Sequence, residues 1–277
     1  MLSLNNITIG ADPELFIVDN NGKVISSVGL IPGEKGKPYV AEDMPKGFGL
    51  EIDNILAEFN IPPCNREEAF INNIEYMKAY IDRFVKDKNP EYGIECIASR
   101  TVEDDQLQSE EAKLFGCDPD YNVYTNRANP RPVAKNTNLR SAGFHIHIGY
   151  ENNNTSTSVY LVRYLDLYLG IPSILLDKDS SRRELYGKAG SFRLTSYGVE
   201  YRVLSSYMMK NPDYLRFVWN QTQKAINACK RSYRLPSAQQ VKDAIDQSSK
   251  PIAEIIIKDF GVCSMDEIKL LCAESSE

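Results

Sequence analysis

The 277-residue chain is 42% hydrophobic and 25% charged, an ordinary balance that gives a core of useful size and argues against a disordered or fibrous class. A formal charge of −6 argues against a sequence-independent grip on nucleic acid, which needs Lys and Arg on the phosphates, and suits an acidic site holding divalent cations. No run reaches the about 18 apolar residues of a membrane span, Met1 to Asn6 lacks a secretory pattern, and Cys64, Cys96, Cys117, Cys229, Cys263 and Cys272 form no C-x-x-C pair, so a cytoplasmic protein with reduced thiols and no membrane partner is expected.

Ile7 to Val18 reads as a strand, and the turn Asp19-Asn20-Asn21-Gly22 returns the chain into Lys23-Val24-Ile25. Gly29 to Pro45, rich in Gly, Pro and Lys, is a loop. Phe48 to Asn60 resumes a strand pattern that Ile61-Pro62-Pro63 is expected to stop. Phe70, Ile74, Met77, Tyr80, Ile81 and Phe84 then recur at helical spacing, predicting a helix from about Asn65 to Asp87. Gly93 to Ala98 is a further strand, Glu103 to Glu111 an acidic stretch, and Asn126 to Asn138 a long loop of the kind that carries function.

Both histidines of the chain lie in Gly143-Phe144-His145-Ile146-His147-Ile148-Gly149. Residues two apart on a strand share a face, so the imidazoles occupy one side and Phe144, Ile146 and Ile148 the other. Ser156 to Leu176 is an apolar helix with an interruption expected near Gly170-Ile171-Pro172, where proline removes a donor. Arg182 to Phe192 is basic and glycine-punctuated, and Val199 to Leu204 alternates with Glu200 and Arg202 together on one face. From Pro212 to about Tyr233, Ser237 to Ser248, Ile252 to Phe260 and Met265 to Cys272 the chain is helical. The expected fold class is α+β, a largely antiparallel sheet flanked by helices, in one domain spanning 1–277 with a helical region over 207–277.

Asp12 with Glu14, and Glu51 with Asp53, each share a strand face, while Glu58 sits among Leu56, Ala57 and Phe59 and needs a partner there. Glu51 and Glu58 are seven apart, so alternation along one strand puts them on opposite faces unless the chain bulges or bends near Asp53-Asn54. Clustering these carboxylates with His145, His147, Glu200 and Arg202 requires cations, and Mg²⁺ is the ion that oxygen ligands and nucleotide phosphates select. Lys188 and Arg193, with Arg182 and Arg183 before them, suit phosphate oxygens, a solvated basic loop being the plain alternative. The chain has no P-loop and no G-x-G-x-x-G turn, so a nucleotide must be held another way.

Taken in order, Gly10-Ala11-Asp12-Pro13-Glu14, Glu51 to Asn54 continuing to Ala57-Glu58-Phe59-Asn60, Phe115-Gly116-Cys117-Asp118-Pro119-Asp120, Gly143 to Gly149, Tyr186 to Arg193 and Tyr197 to Arg202 resemble the glutamine synthetase and glutamate-cysteine ligase superfamily. Within it the pattern is similar to the phage-associated COOH-NH2 ligases, or amidoligases. The resemblance implies a curved antiparallel sheet of glutamine synthetase catalytic-domain type whose concave face holds ATP and Mg²⁺ ions. It implies Asp12, Glu14, Glu51, Glu58, His145 and Glu200 as metal ligands, with Asp53 able to replace Glu51. His147, Lys188, Arg193 and Arg202 would bind the nucleotide phosphates, and Lys188, Arg193 and Arg202 would also act in catalysis.

The activity so implied is ATP-dependent joining of a carboxylate to an amine through an acyl phosphate, in the cytoplasm of a bacterium or a phage-infected host. The rival readings are a non-catalytic nucleotide- or peptide-binding module on the same fold, and a hydrolase using His145, His147 and carboxylates on zinc or manganese. The carboxylate and amine substrates and the oligomeric state are not encoded in any motif. Asp118, Asp120, Arg131 and Arg140 are the candidate substrate contacts.

Overall fold

The structure, a computed structural model, describes residues 4–113, 120–130 and 136–273. The expected opening hairpin is present as β1 (Thr8–Val18) and β2 (Val24–Ile25), with Ile17 opposite Ile25. Its turn is closed by Asp19, whose carboxylate accepts from the amides of Asn21 at 2.8 Å and Lys23 at 2.9 Å.

The run from Phe48 to Asn60 is two strands rather than one. β3 (Gly49–Asp53) and β4 (Leu56–Cys64) pair antiparallel around a tight turn in which Asn54 takes φ 62°, a left-handed conformation that asparagine tolerates. Nor do the prolines stop β4. Its pairing with β3 ends at Asn60, and its register against β1 slips between Ile61 and Cys64, so Pro62 and Pro63 fall at a bulge where no regular ladder amide is required.

α1 (Glu67–Lys88) is the expected helix, burying Phe70, Ile74, Met77, Ile81 and Val85. Glu67 and Glu68 in its first turn, and Lys86 and Lys88 in its last, complement the helix dipole. Short elements follow: β5 (Gly93–Glu95), which pairs with the end of β1; β6 (Ser99–Thr101); α2 (Glu110–Lys113); the small hairpin β7 (Tyr121–Asn122) and β8 (Arg127–Ala128); and β9 (Leu139–Ser141), which pairs with β6. The motif residues Phe115 to Pro119, with Asp118, and the candidate Arg131 lie outside the described residues.

The histidine strand is β10 (Phe144–Gly149). After it, α3 (Thr155–Leu165) passes through a π turn, Asp166–Gly170, into α4 (Ile171–Leu176). The interruption expected at Pro172 is thus a slip of the hydrogen-bond ladder rather than a break. Thr155–Leu176 corrects the expectation that no segment reaches membrane-span length: it has 22 residues with a window mean hydropathy of 1.4, although 72% of that window is buried in the protein. α5 (Arg182–Leu185), β11 (Ser191–Thr195) and β12 (Gly198–Tyr201) follow. The C-terminal region is helical as expected, in α6 (Pro212–Lys230), α7 (Ala238–Ile245), α8 (Lys250–Phe260) and α9 (Met265–Ala273).

The main sheet runs β3-β4-β1-β10-β12-β11-β7-β8, and every pairing in it is antiparallel. The molecule is therefore a mixed α+β fold built on a large antiparallel sheet. Helices α1, α3 and α6 cover one side of it, over a core in which Phe144, Ile146, Ile148, Val199 and Tyr201 are fully buried. That burial fixes the register, because a slip of one residue would turn the apolar set outward. It also commits the alternate residues to the other face. Cys64, Cys96, Cys229, Cys263 and Cys272 are free thiols, and Cys117 lies outside the described residues.

Candidate active site

The face opposite the helices carries a polar band that crosses the sheet from strand to strand. Glu51 on β3 stands opposite Glu58 on β4, and Glu58 opposite Glu14 on β1. Asp12 on β1 faces His145 on β10, His147 faces Glu200 on β12, and Glu200 faces Arg193 on β11. Directly opposed residues in an antiparallel pair have their Cβ atoms only about 5 Å apart, so the register alone makes neighbours of groups far apart in sequence. It also resolves the spacing of Glu51 and Glu58. Seven residues span a hairpin, and the two carboxylates are cross-strand partners on one face.

Asp12 is the hinge of the band. Its Oδ1 lies 2.9 Å from His147 Nε2 and 3.2 Å from His145 Nδ1. Burial pushes the Asp12 carboxyl up, but His147 and His145 outweigh it and hold the group well below the usual carboxylate range. Burial likewise works against a charged His147, and the Asp12 carboxylate more than offsets it, raising the imidazole. Glu200, 2% exposed, accepts from Arg202 Nη1 and from Arg193 Nη1, the latter at 3.3 Å, and His145 Nδ1 is 3.5 Å from Arg202 Nη1. Glu58 is pushed well up, first by burial and then by the charges of Asp12, Glu14, Asp53 and Glu51. A carboxyl in that position stays neutral or takes a cation.

Three sets of side chains bring ligand atoms within 4.8 Å of one another: Asp12, His147 and Glu200; Asp12, Glu58 and His145; and Glu14, Asp53 and Glu58. The residues fit hard divalent cations. Oxygen donors dominate, and Asp12 Oδ1 and His147 Nε2 are buried without a hydrogen-bond partner although they approach to 2.9 Å. Asp12, Glu14, Glu58, His145 and Glu200 therefore come together. Glu51 is outside these sets and Asp53 is within one, while Glu51 Oε2 accepts from the Gly36 amide at 3.0 Å.

Beside the band opens a cavity of about 420 Å³, lined by Thr8, Gly10, Ile61, Pro63, Gly149 and Tyr197 and reaching Asp12 and His147. Its glycines keep the floor low: a Cβ on Gly149 would lie 2.6 Å from Thr8 Oγ1. Tyr197 stacks on His147 with ring centroids 5.9 Å apart, and its hydroxyl hydrogen-bonds His147 Nδ1.

Several sequence expectations change here. Arg182 and Arg183 are 2% and 4% exposed and donate to Ser141 Oγ and Ser173 Oγ, each at 3.2 Å, so they stand in buried positions on α5 rather than in an open loop, with the Arg182 guanidinium and the His145 ring both lying against Gly143. Arg140, a candidate substrate contact, is buried and donates to Asn54 Oδ1, Thr137 O and Ala112 O at 3.1, 2.8 and 2.7 Å, clasping two turns and helix α2. Asp120 lies at the small hairpin, where its carbonyl accepts from the Asn129 amide. Lys188 is half-buried in the turn before β11, between Gly187 (φ 70°) and Gly190 (φ 74°), and its carbonyl accepts from the Ser191 amide.

Sequence reasoning missed Lys35, whose Nζ lies 2.7 Å from Asp53 Oδ1, and took Tyr197 only as the first residue of a motif, with no role in the site. The first was hidden in a loop with no periodicity. The second sits in a turn, although its place one residue before the Glu-x-Arg strand's opening glycine was a usable signal.

The site is a row of carboxylates and imidazoles set across a sheet, backed by Arg193 and Arg202 and opening beside a largely apolar cavity. Residues 132–253 match the model of a family described as phage phiEco32-like COOH.NH2 ligase-type 2, so the likeness expected from the motif order is shown over that stretch. The matched segment includes His145, His147, Lys188, Arg193, Glu200 and Arg202; the four N-terminal acids of the band precede it. Among solved structures the chain is similar to a bifunctional glutathione synthetase from Pasteurella multocida, at 10% identity and a TM-score of 0.45, over 98% of this chain and 47% of that one. The chain thus spans about half the length of that structure, and the likeness is too distant to carry a shared fold or chemistry. No curated protein matches.

Proposed function

We propose that the chain is a carboxylate-amine ligase that uses ATP and Mg²⁺, on a sheet of glutamine synthetase catalytic-domain type, with 1–277 acting as one catalytic unit in the cytoplasm. The observation that carries this reading is the band itself: three cation-sized donor sets share Asp12 and Glu58 and lie against a cavity large enough for a nucleobase. The family match supports the ligase class.

A carboxylate and an amine do not condense at neutral pH, because the carboxylate is a poor electrophile. In this reading the apolar cavity seats the base, and His147 lies at its rim to meet the phosphates. Arg202 and Arg193, which pair with Glu200, would offset charge on a transferring phosphoryl group. The substrate carboxylate oxygen would attack the γ-phosphorus as ADP leaves, and the unprotonated amine would then displace phosphate from the acyl carbon, the proton lost by nitrogen leaving with the phosphate. Asp12, Glu14, Glu58, His145, Glu200 and either Asp53 or Glu51 would hold Mg²⁺, which when bound would supply charge neutralisation to the phosphates. Burial of Glu14 and Glu200 keeps water from competing for those positions.

The test is ADP release screened over pairs of carboxylates and amines. Mg·ATP is expected to raise Tm, and Glu58→Ala or His145→Ala to abolish turnover without unfolding the protein. Wild-type ADP release from either variant would sink the site assignment. Chelator-sensitive hydrolysis that ignores nucleotide would replace the ligase with a metal-dependent hydrolase.

A further inference from the structure

The turn that carries Lys188 is gripped from outside the sheet. Gly187 and Gly190, at φ 70° and 74°, bound it, and both lie hard against their surroundings: a Cβ on Gly187 would stand 2.9 Å from Val203 O, and one on Gly190 2.8 Å from the Tyr124 and Val123 side chains. Only a residue without a side chain brings the backbone so close in that conformation. Between them Ala189 is fully buried, so its amide needs an acceptor from elsewhere in the fold. That acceptor is Asp246, whose Oδ1 takes the Ala189 amide at 2.7 Å, while the Gly190 amide donates to the Asp166 carboxylate. The carbonyls are claimed as well, Ala189 O by Asn122 Nδ2 at 2.8 Å and Gly190 O by the Val123 amide at 3.1 Å.

Asp246 stands at the C-terminal end of α7, a helix fixed at its start by the capping box of Ser237 with Gln240 and seated through buried Val241, Ala244 and Ile245. Ile245 packs so tightly on the π turn that a Cβ on Gly170 would come within 2.8 Å of its Cδ1. The acceptor is therefore held on a rigid arm, and a carboxylate makes the stronger, charge-assisted bond to an amide. On its other side the turn runs straight into the polar band. The Ser191 carbonyl accepts from the Arg202 amide at 3.1 Å, and Arg193, two residues on, reaches Glu200. We propose that Asp246 is a positioning residue: from the end of α7 it sets the Lys188 turn, and with it the Lys188 ammonium, against an anionic ligand on the band, so that the C-terminal helical region is a working part of the site. The Lys188 half of this inference rests on the ligase reading; the grip of Asp246 on the turn does not.

Hydrogen–deuterium exchange of the full chain reads the grip. Asp246→Ala is expected to speed exchange across residues 186–191 at least about tenfold, with α6 and α8 unchanged, and Asp246→Asn, which keeps an acceptor oxygen, to stay within about threefold of wild type. Unchanged exchange in Asp246→Ala, equal acceleration in Asp246→Asn, or protection lost over the whole chain overturns it. Calorimetric titration with Mg²⁺ and the β,γ-imido analogue of ATP reads the ligand. Asp246→Ala is expected to bind about five- to thirtyfold more weakly than wild type, but to add less than about twofold in the Lys188→Met background, because its effect runs through that ammonium. The same loss in both backgrounds is what general destabilisation would give, and overturns the positioning role. A wild-type protein that binds no nucleotide, with the exchange result intact, overturns the ligase reading and the Lys188 half together and leaves the grip standing.

Discussion

Asp166→Asn isolates a cost that the fold carries behind the site. Asp166 lies in the π turn, fully buried, with its Oδ1 accepting from the Tyr201 hydroxyl at 2.9 Å. Burial raises its carboxyl from an ordinary 3.8 to about 7, the Tyr201 and Tyr124 hydroxyls opposing part of that rise. The sign follows from proton linkage. Between those two values the folded protein holds a proton that the unfolded chain has lost, so stability is complete below about pH 4 and falls as pH rises to about 7. At 1.36 kcal/mol per pKa unit, a shift of about 3 units is worth about 4 kcal/mol, an upper figure for a group that can relax. Asparagine keeps the acceptor for Tyr201 and cannot ionise. Urea unfolding at intervals from about pH 4 to 8 should therefore show Asp166→Asn near wild type at the acid end and progressively more stable toward neutrality, by about 2 to 4 kcal/mol. A stability difference that stays constant across that window would refute the reasoning.

Four further outcomes test other parts of the structure. Lys35→Met removes the ammonium from Asp53 beside Glu14 and Glu58; titration with Mn²⁺ should then show about tenfold tighter binding of the weakest ion, because a competing positive charge is gone. Gly198→Ala forces a Cβ into Ile148 O and should lower stability by about 3 kcal/mol or more, read as a fall in Tm, whereas Gly22→Ala, at φ 77° with open space around it, should cost about 1 kcal/mol. Ile146→Ala, under the centre of the band, should cost about 2 to 5 kcal/mol in chemical unfolding. If Ile146→Ala also leaves Mg·ATP affinity intact, the polar face does not depend on the packing beneath it, contrary to the layered architecture described above.

Much of this protein was legible in its alternation. Asp12 with Glu14, His145 with His147, and Glu200 with Arg202 could each be placed on a shared face, because a strand's side chains alternate whatever surrounds it. Helix α1 announced itself through apolar spacing, as did the C-terminal helices; the structure adds their ends, a full capping box of Ser237 with Gln240 and Gly261 closing α8 at φ 60°. These are local properties, set by a residue and its near neighbours in the chain.

Which strand lies beside which is not local. Nothing in the sequence between Phe48 and Asn60 distinguishes a bent strand from a hairpin until the partner strands are known, so the pairing of Glu51 with Glu58 waited on the sheet. The same holds for Arg140, Arg182 and Arg183. A guanidinium reads as a ligand-binding group by composition, but carbonyl and hydroxyl oxygens brought in from distant segments, Ala112 for Arg140 and Ser173 for Arg183, claim it once the chain is folded. Lys35 and Tyr197 reach the site from loops, where side-chain direction follows backbone turns rather than a period. The sequence by itself determined which groups share a face, because alternation is a property of one strand; only the tertiary structure decided which of those faces meet, because register between strands is set by the apolar residues packed on the other side.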